Sequence, residues 1–166
     1  LSFRNKILNG AMVVDQRFAG TSTTTVAGTS KYVADRWIAF GTGASLTAQR
    51  INNSGLTGYP YAFQLTGAAG STYASMVQRI EAINCIDLVG KSLTVSFNAA
   101  LSSGTSLTVE LYYINSSANT DNWSAASTML SQTVTVSSSL SNRYSVTFSS
   151  LPAGVANGMQ VAISVP

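Results

Sequence analysis

Apolar and polar residues alternate with period two over much of this chain, the spacing that buries one face of a strand and wets the other. KSLTVSFNAAL (91–101) puts Leu93, Val95 and Phe97 on one side and Ser92, Thr94, Ser96 and Asn98 on the other. SLTVELYYI (106–114), SQTVTVSSS (131–139), RYSVTFSSL (143–151) and NGMQVAISV (157–165) repeat the pattern. Further strands are predicted at 11–17, 33–40, 45–51, 60–66 and 73–82. Turn-forming stretches separate them: NNSG (52–55), TGAAGS (66–71), SSG (102–104), NSSANTDN (115–122), SLSN (139–142) and PAGVANG (152–158). AGTSTTTVAGTSK (19–31) reads as a loop or a weak edge strand, and NCIDLVGK (84–91) as one short helical turn capped by Asn84 and closed by Gly90. Many short strands with one-sided burial indicate an all-β sandwich or barrel.

Composition sharpens this picture. The 166 residues suit a single domain with one core. Only 9% are charged, while Ser and Thr number 25 and 18, so hydroxyls and amides must solvate the surface. Surfaces of this kind suit extracellular or particle-borne β proteins. The net charge of +3 comes from dispersed bases, with no run of the kind that displaces counterions from phosphates, so no nucleic-acid partner is expected. No apolar run approaches the length of a membrane span, and LSFRNKILNG lacks the apolar stretch of a signal peptide, so no membrane insertion is expected. The missing initiator methionine suggests a fragment or a processed chain.

Candidate chemistry is sparse. Histidine is absent and Cys85 is the single cysteine, which excludes a cysteine-rich zinc site and a histidine-based triad. Cys85 reads as a small buried hydrophobe. No cofactor and no metal site are expected, although Asp121 leaves calcium open through oxygen ligands. Asp15, Asp35 and Glu81 each have an arginine within two residues, the setting of a structural ion pair rather than of a proton donor. Asp15, Arg17, Asp35, Arg36, Arg79 and Glu81 are therefore expected to form a structural charge network. With no carboxyl pair suited to glycoside cleavage, the chain is expected not to be an enzyme. Trp37, in a strand with Ile38 and Phe40, is expected in the core. Trp123 differs, standing among Asn119, Asp121, Asn122 and Ser124 with no alternation to bury it. An exposed ring flanked by amides suits the C–H face and hydroxyls of a sugar, and Tyr59 and Tyr61 in GYPYAF form a second such candidate. The alternative is that Trp123 caps the sandwich or packs between subunits.

Several motifs carry a resemblance. NGAMVVDQR, YVADRW, QLTGAAGSTYASMVQRIE and LVGKSLTVSFNA resemble the module at the C-terminal ends of bacteriophage tail fibres and other virion appendages. The matching residues are Asn9-Gly10, Gln16-Arg17, Asp35-Arg36-Trp37, Gln78-Arg79-Ile80-Glu81 and Gly90 to Phe97. The second half also resembles jelly-roll carbohydrate-binding modules attached to glycanases. The resemblance implies an all-β jelly-roll sandwich of two antiparallel sheets over 1–166, a C-terminal piece of a longer fibre protein. It further implies a virion location, a host surface polysaccharide as ligand, and a homotrimer joined to the rest of the virion appendage. Similar modules continue with another strand after the position of Val165, so the last strand is expected to be trimmed or completed by a neighbouring chain. The readings left open are a purely structural trimerisation or decoration domain and a carbohydrate-binding module of a secreted glycanase.

Overall fold

A computed structural model describes residues 5–53, 55–138 and 142–165. Of these residues, 45% lie in strands and 9% in short helical turns, so the all-β expectation holds. The chain divides into two compact units, 1–78 with 163–166, and 79–162. Both boundaries fall inside strands, within β6 (Tyr73–Ile80) and within β11 (Met159–Val165).

The first unit contains β1 (Thr23–Thr25), β2 (Ser30–Tyr32), β3 (Trp37–Thr42), β4 (Leu46–Asn52) and β5 (Tyr61–Gly67). One antiparallel sheet has the order β1-β4-β5, and the strands β2-β3-β6 form the other. Ala39 and Ala74 from one sheet meet Leu46, Ala48, Phe63 and Leu65 from the other, with Val33 completing the cluster. Sheet therefore faces sheet, and the alternation seen in the sequence is the alternation of the two faces.

The expected strand at 11–17 does not form; these residues make turns and irregular backbone. Asn9 explains why. Its Nδ2 donates to Val14 O (2.8 Å) and Asp35 O (2.9 Å), and its Oδ1 accepts from Val14 N–H (3.0 Å). One side chain thus supplies pairings that a neighbouring strand would otherwise supply. Gln78, fully buried on β6, fixes the same segment: its Oε1 accepts Leu8 N–H at 2.7 Å and its Nε2 donates to Leu8 O at 2.8 Å. Trp37 is core as expected, 4% exposed against Met12 and Ala34, with Nε1–H donating to Asn9 O.

The acidic residues near the start are structural acceptors. Asp15 takes the N–H groups of Phe18 (3.1 Å) and Gly20 (2.6 Å), and Asp35 takes that of Gln16 (2.7 Å). The ion pair of Asp15 is with Arg50, at 3.6 Å, rather than with the nearby Arg17. Arg17 instead lies over the Tyr32 ring.

The second unit holds β7 (Leu93–Asn98), β8 (Ser106–Ile114), β9 (Ser127–Thr135) and β10 (Arg143–Phe148). β7 pairs with β10, and the order β11-β8-β9 forms the facing layer. Val95, Val146 and Phe148 of the first layer and Leu107, Val109, Leu111 and Val161 of the second are buried. β9 begins earlier than the alternation indicated, because it pairs with β8 along its whole length, from Ser127 opposite Ile114 to Thr135 opposite Ser106. The turn expected at SLSN lies largely outside the described residues.

NCIDLVGK forms two 3-10 turns, Ala82–Asn84 and Ile86–Leu88, whose N-caps are Glu81 and Cys85 rather than Asn84. Gly90 closes the segment at φ +70° as expected. Cys85 is fully buried, its thiol directed at Ile80 O.

Trp37→Ala should cost about 3–5 kcal/mol through lost burial and the cavity left behind. Gln78→Ala should cost roughly 1–3 kcal/mol by leaving both Leu8 groups unpaired. Denaturant melts of the two variants check the order, and a Gln78→Ala variant as stable as wild type would refute the role given to the amide.

Candidate functional site

The loop 115–126 joins β8 to β9 and is built from short-range hydrogen bonds. Ser116 Oγ accepts from Ala118 N–H as the cap of a 3-10 turn, Ser117–Asn119. Asn119 O accepts Asn122 N–H (2.8 Å), Asn122 O accepts Ala125 N–H (2.9 Å), and Asn122 Oδ1 accepts Ser124 N–H (3.2 Å). Asp121 sits at φ 57°, a left-handed conformation that Asn and Asp tolerate better than most residues. These polar residues shape the loop because their side chains can stand in for backbone partners.

Two contacts of Asp121 hold the loop to the rest of the second unit. Its N–H donates to Asn157 O (2.9 Å), and its Oδ1 accepts Ala82 N–H (2.8 Å). A β-carbon added at Gly158 would stand 2.7 Å from Asp121 Oδ1 and 2.9 Å from Trp123 Cη2. The bare glycine backbone, at φ +110°, is what lets the loop and its indole lie this close. Trp123 is neither free nor buried: its ring is partly exposed, with Arg79 Cζ 5.5 Å from the ring centroid.

Arg79 extends the site onto the sheet. Its Nε–H donates to Gln160 Oε1 at 3.1 Å. Ile114 N–H donates to Gly158 O, so the end of β8 meets the start of β11 and the two strands run antiparallel. That register puts Tyr112 opposite Gln160, and Tyr112 also pairs with Met129 on β9. Leu107, Val109 and Leu111 point into the core, so Glu110 and Tyr112 occupy the opposite face. Tyr112 O–H donates to Glu110 Oε2 at 3.0 Å, and Glu110 is only 6% exposed. A partly exposed indole, a guanidinium and an amide thus meet on one side of this unit, with Tyr112 on the neighbouring strand.

The structure therefore groups four of the residues singled out in the sequence: Asn119, Asp121, Asn122 and Trp123. Tyr59 and Tyr61 belong to the first unit. Tyr59 is 43% exposed in a shallow depression with Asn53, Leu56, Thr57, Gly58 and Pro60. The ring of Tyr61 carries Arg50, at 4.1 Å, and packs against the cluster around Trp37. Sequence reasoning did not assign Arg79, Gln160 and Tyr112 to the site. The polar side of β8 carried a signal for Tyr112, whereas the meeting of Arg79 with Gln160 depends on tertiary structure. Among the described residues, no group of three or more His, Cys, Asp or Glu side chains is arranged to hold a metal ion. No helix among them is long and apolar enough to cross a membrane.

No family model and no curated protein sequence matches this chain. Among solved structures, it is similar to the enzymatically active domain of tailspike protein 4 from bacteriophage CBA120, with TM-score 0.57 and 16% identity. That match covers 97% of this chain and 19% of the tailspike chain, so the chain spans about a fifth of its neighbour's length. A second structure, TmCBM61 in complex with β-1,4-galactotriose, aligns at TM-score 0.39 and 9% identity, covering 97% of this chain and 86% of the other. At 16% identity the tailspike likeness is one of fold.

The likeness corrects one expectation. The sequence reading expects no enzyme, but this fold also occurs in a tailspike domain described as enzymatically active. A sandwich scaffold carries many functions, so this architecture gives no argument against catalysis.

Gly158→Ala should displace the Trp123 loop, because the new methyl would fall within 3 Å of both Asp121 Oδ1 and the indole. We expect a loss of about 1–3 kcal/mol from strained backbone and steric overlap, together with a shifted indole emission. Melts and fluorescence of this variant against Gly104→Ala, whose added β-carbon meets nothing within 4 Å at a similar positive φ, separate the two causes.

Proposed function

We propose that this chain is a glycan-recognising module of a phage virion appendage, contacting host surface polysaccharide at a receptor-binding tip through the Trp123 loop. The observation that carries the reading is the state of Trp123. Its indole lies close to both Gly158 and Arg79 yet remains partly exposed, in a loop that also carries Asn119 and Asn122. A fixed aromatic surface with polar groups at its rim offers a pyranose both an apolar face and hydroxyl partners, at little entropic cost. The tailspike-like fold supports the virion setting. In this reading the chain is one jelly-roll module of a longer fibre protein at the particle surface, and three copies multiply a weak single-site affinity by avidity.

A second reading, a structural trimerisation or decoration domain, is favoured by a different observation. Ile83, Ile86 and Val89 on the 3-10 segment are 81%, 64% and 37% exposed, an apolar ridge suited to burial against a neighbour.

Trp123→Ala separates the two readings. As a sugar platform, the residue should lose at least tenfold in binding on a glycan array, at a stability cost of about 1 kcal/mol from the lost arginine contact. Unchanged adsorption to host cells with a lowered melting temperature would instead favour the structural domain and move the search to Tyr59 and Tyr61.

A further inference from the structure

We infer that the Trp123 site takes an acidic saccharide, a uronic acid or another sugar bearing a carboxylate, and that Arg79 is the residue that reads the acid. This rests on the glycan reading above and adds the class of ligand. Arg79 is positioned by two contacts, its Nε–H on Gln160 Oε1 at 3.1 Å and its Cζ 5.5 Å from the Trp123 ring centroid. The first uses one of five N–H donors, and the second is a cation–π contact that uses no hydrogen-bond donor. Among the described residues no carboxylate pairs with Arg79, and its Nη1 and Nη2 have no acceptor.

Two acids of the same unit are engaged elsewhere. Asp121 Oδ1 accepts the N–H of Ala82, and Glu110 Oε2 accepts the hydroxyl of Tyr112. A guanidinium held in place with its paired Nη donors unused is a two-pronged fork. A carboxylate fills such a fork with two parallel charge-assisted bonds, which a neutral hydroxyl pair cannot match in charge. The partly exposed indole supplies the surface for the sugar ring, so acid and ring are read by adjacent groups.

The test uses polygalacturonate, alginate and hyaluronan, each beside its carboxyl-reduced counterpart, in affinity electrophoresis of the whole chain with indole fluorescence recorded. Trp37 is buried, so a response to polymer reports on Trp123. At least one acidic polymer should retard the chain and change its emission, and carboxyl reduction should weaken this about tenfold or more. Arg79→Lys keeps the charge but loses the fork, and should weaken binding of the acidic polymer by a similar factor. Should that variant melt early, the comparison of acidic with reduced polymer on wild type still decides, since it needs no substitution. Equal retardation by acidic and reduced polymers, abolished by Trp123→Ala, would overturn the acidic class and leave glycan binding standing. No retardation by any polymer of the panel would overturn both.

Discussion

Two hydrogen bonds from one buried amide hold the irregular N-terminal segment of the first unit in place. Gln78 accepts from and donates to the backbone of Leu8, and so ties an irregular segment to the middle of a strand. The constraint behind this is general: a buried backbone group without a partner is costly, and a chain with 9% charged residues has few ions to spare for the task. The task falls to amides and to a few of those ions, Asp15 and Asp121 among them. Asn9 completes the pairing of Val14, Asp15 receives the turn at Phe18 and Gly20, and Asp121 receives Ala82 in the second unit. The same solution thus recurs in both units, each time with a polar side chain pairing a backbone group outside the strands.

The strands were legible wherever a strand shows one face to the core, as from Leu93 to Asn98 and from Ser106 to Ile114. Local pattern misled at 11–17, where apolar residues recur but Asn9 captures the backbone, an event that requires knowing which amide comes near. Asp15 shows the same limit. Its need for a cationic partner could be read from the sequence, but Arg50 comes from β4, and only the tertiary fold selects it over Arg17. Trp123 stood out because its loop lacks alternation. Arg79 and Gln160 did not, because they are 81 positions apart and their contact exists only once the strands are placed.

Fold and function part company in this molecule. The sandwich is shared with a domain described as enzymatically active, so the scaffold leaves the chemistry open. The candidate site is local: a glycine that lets an indole approach the backbone, and an arginine lying against that indole. Such a site depends on precise support more than on depth.

The division of the chain also sets an order of assembly. Residues 79–162 form a continuous unit, whereas the other unit needs 163–166 in addition to 1–78. During synthesis the continuous unit has all its residues first, while the discontinuous one waits for the end of β11 to emerge. Its closing contacts span most of the chain, and pairings of such long sequence separation form slowly because a large loop must close before they can stabilise anything. The N-terminal half, made first, is therefore the last to be finished, and its sparsely charged strands stay exposed to neighbouring chains in the interval.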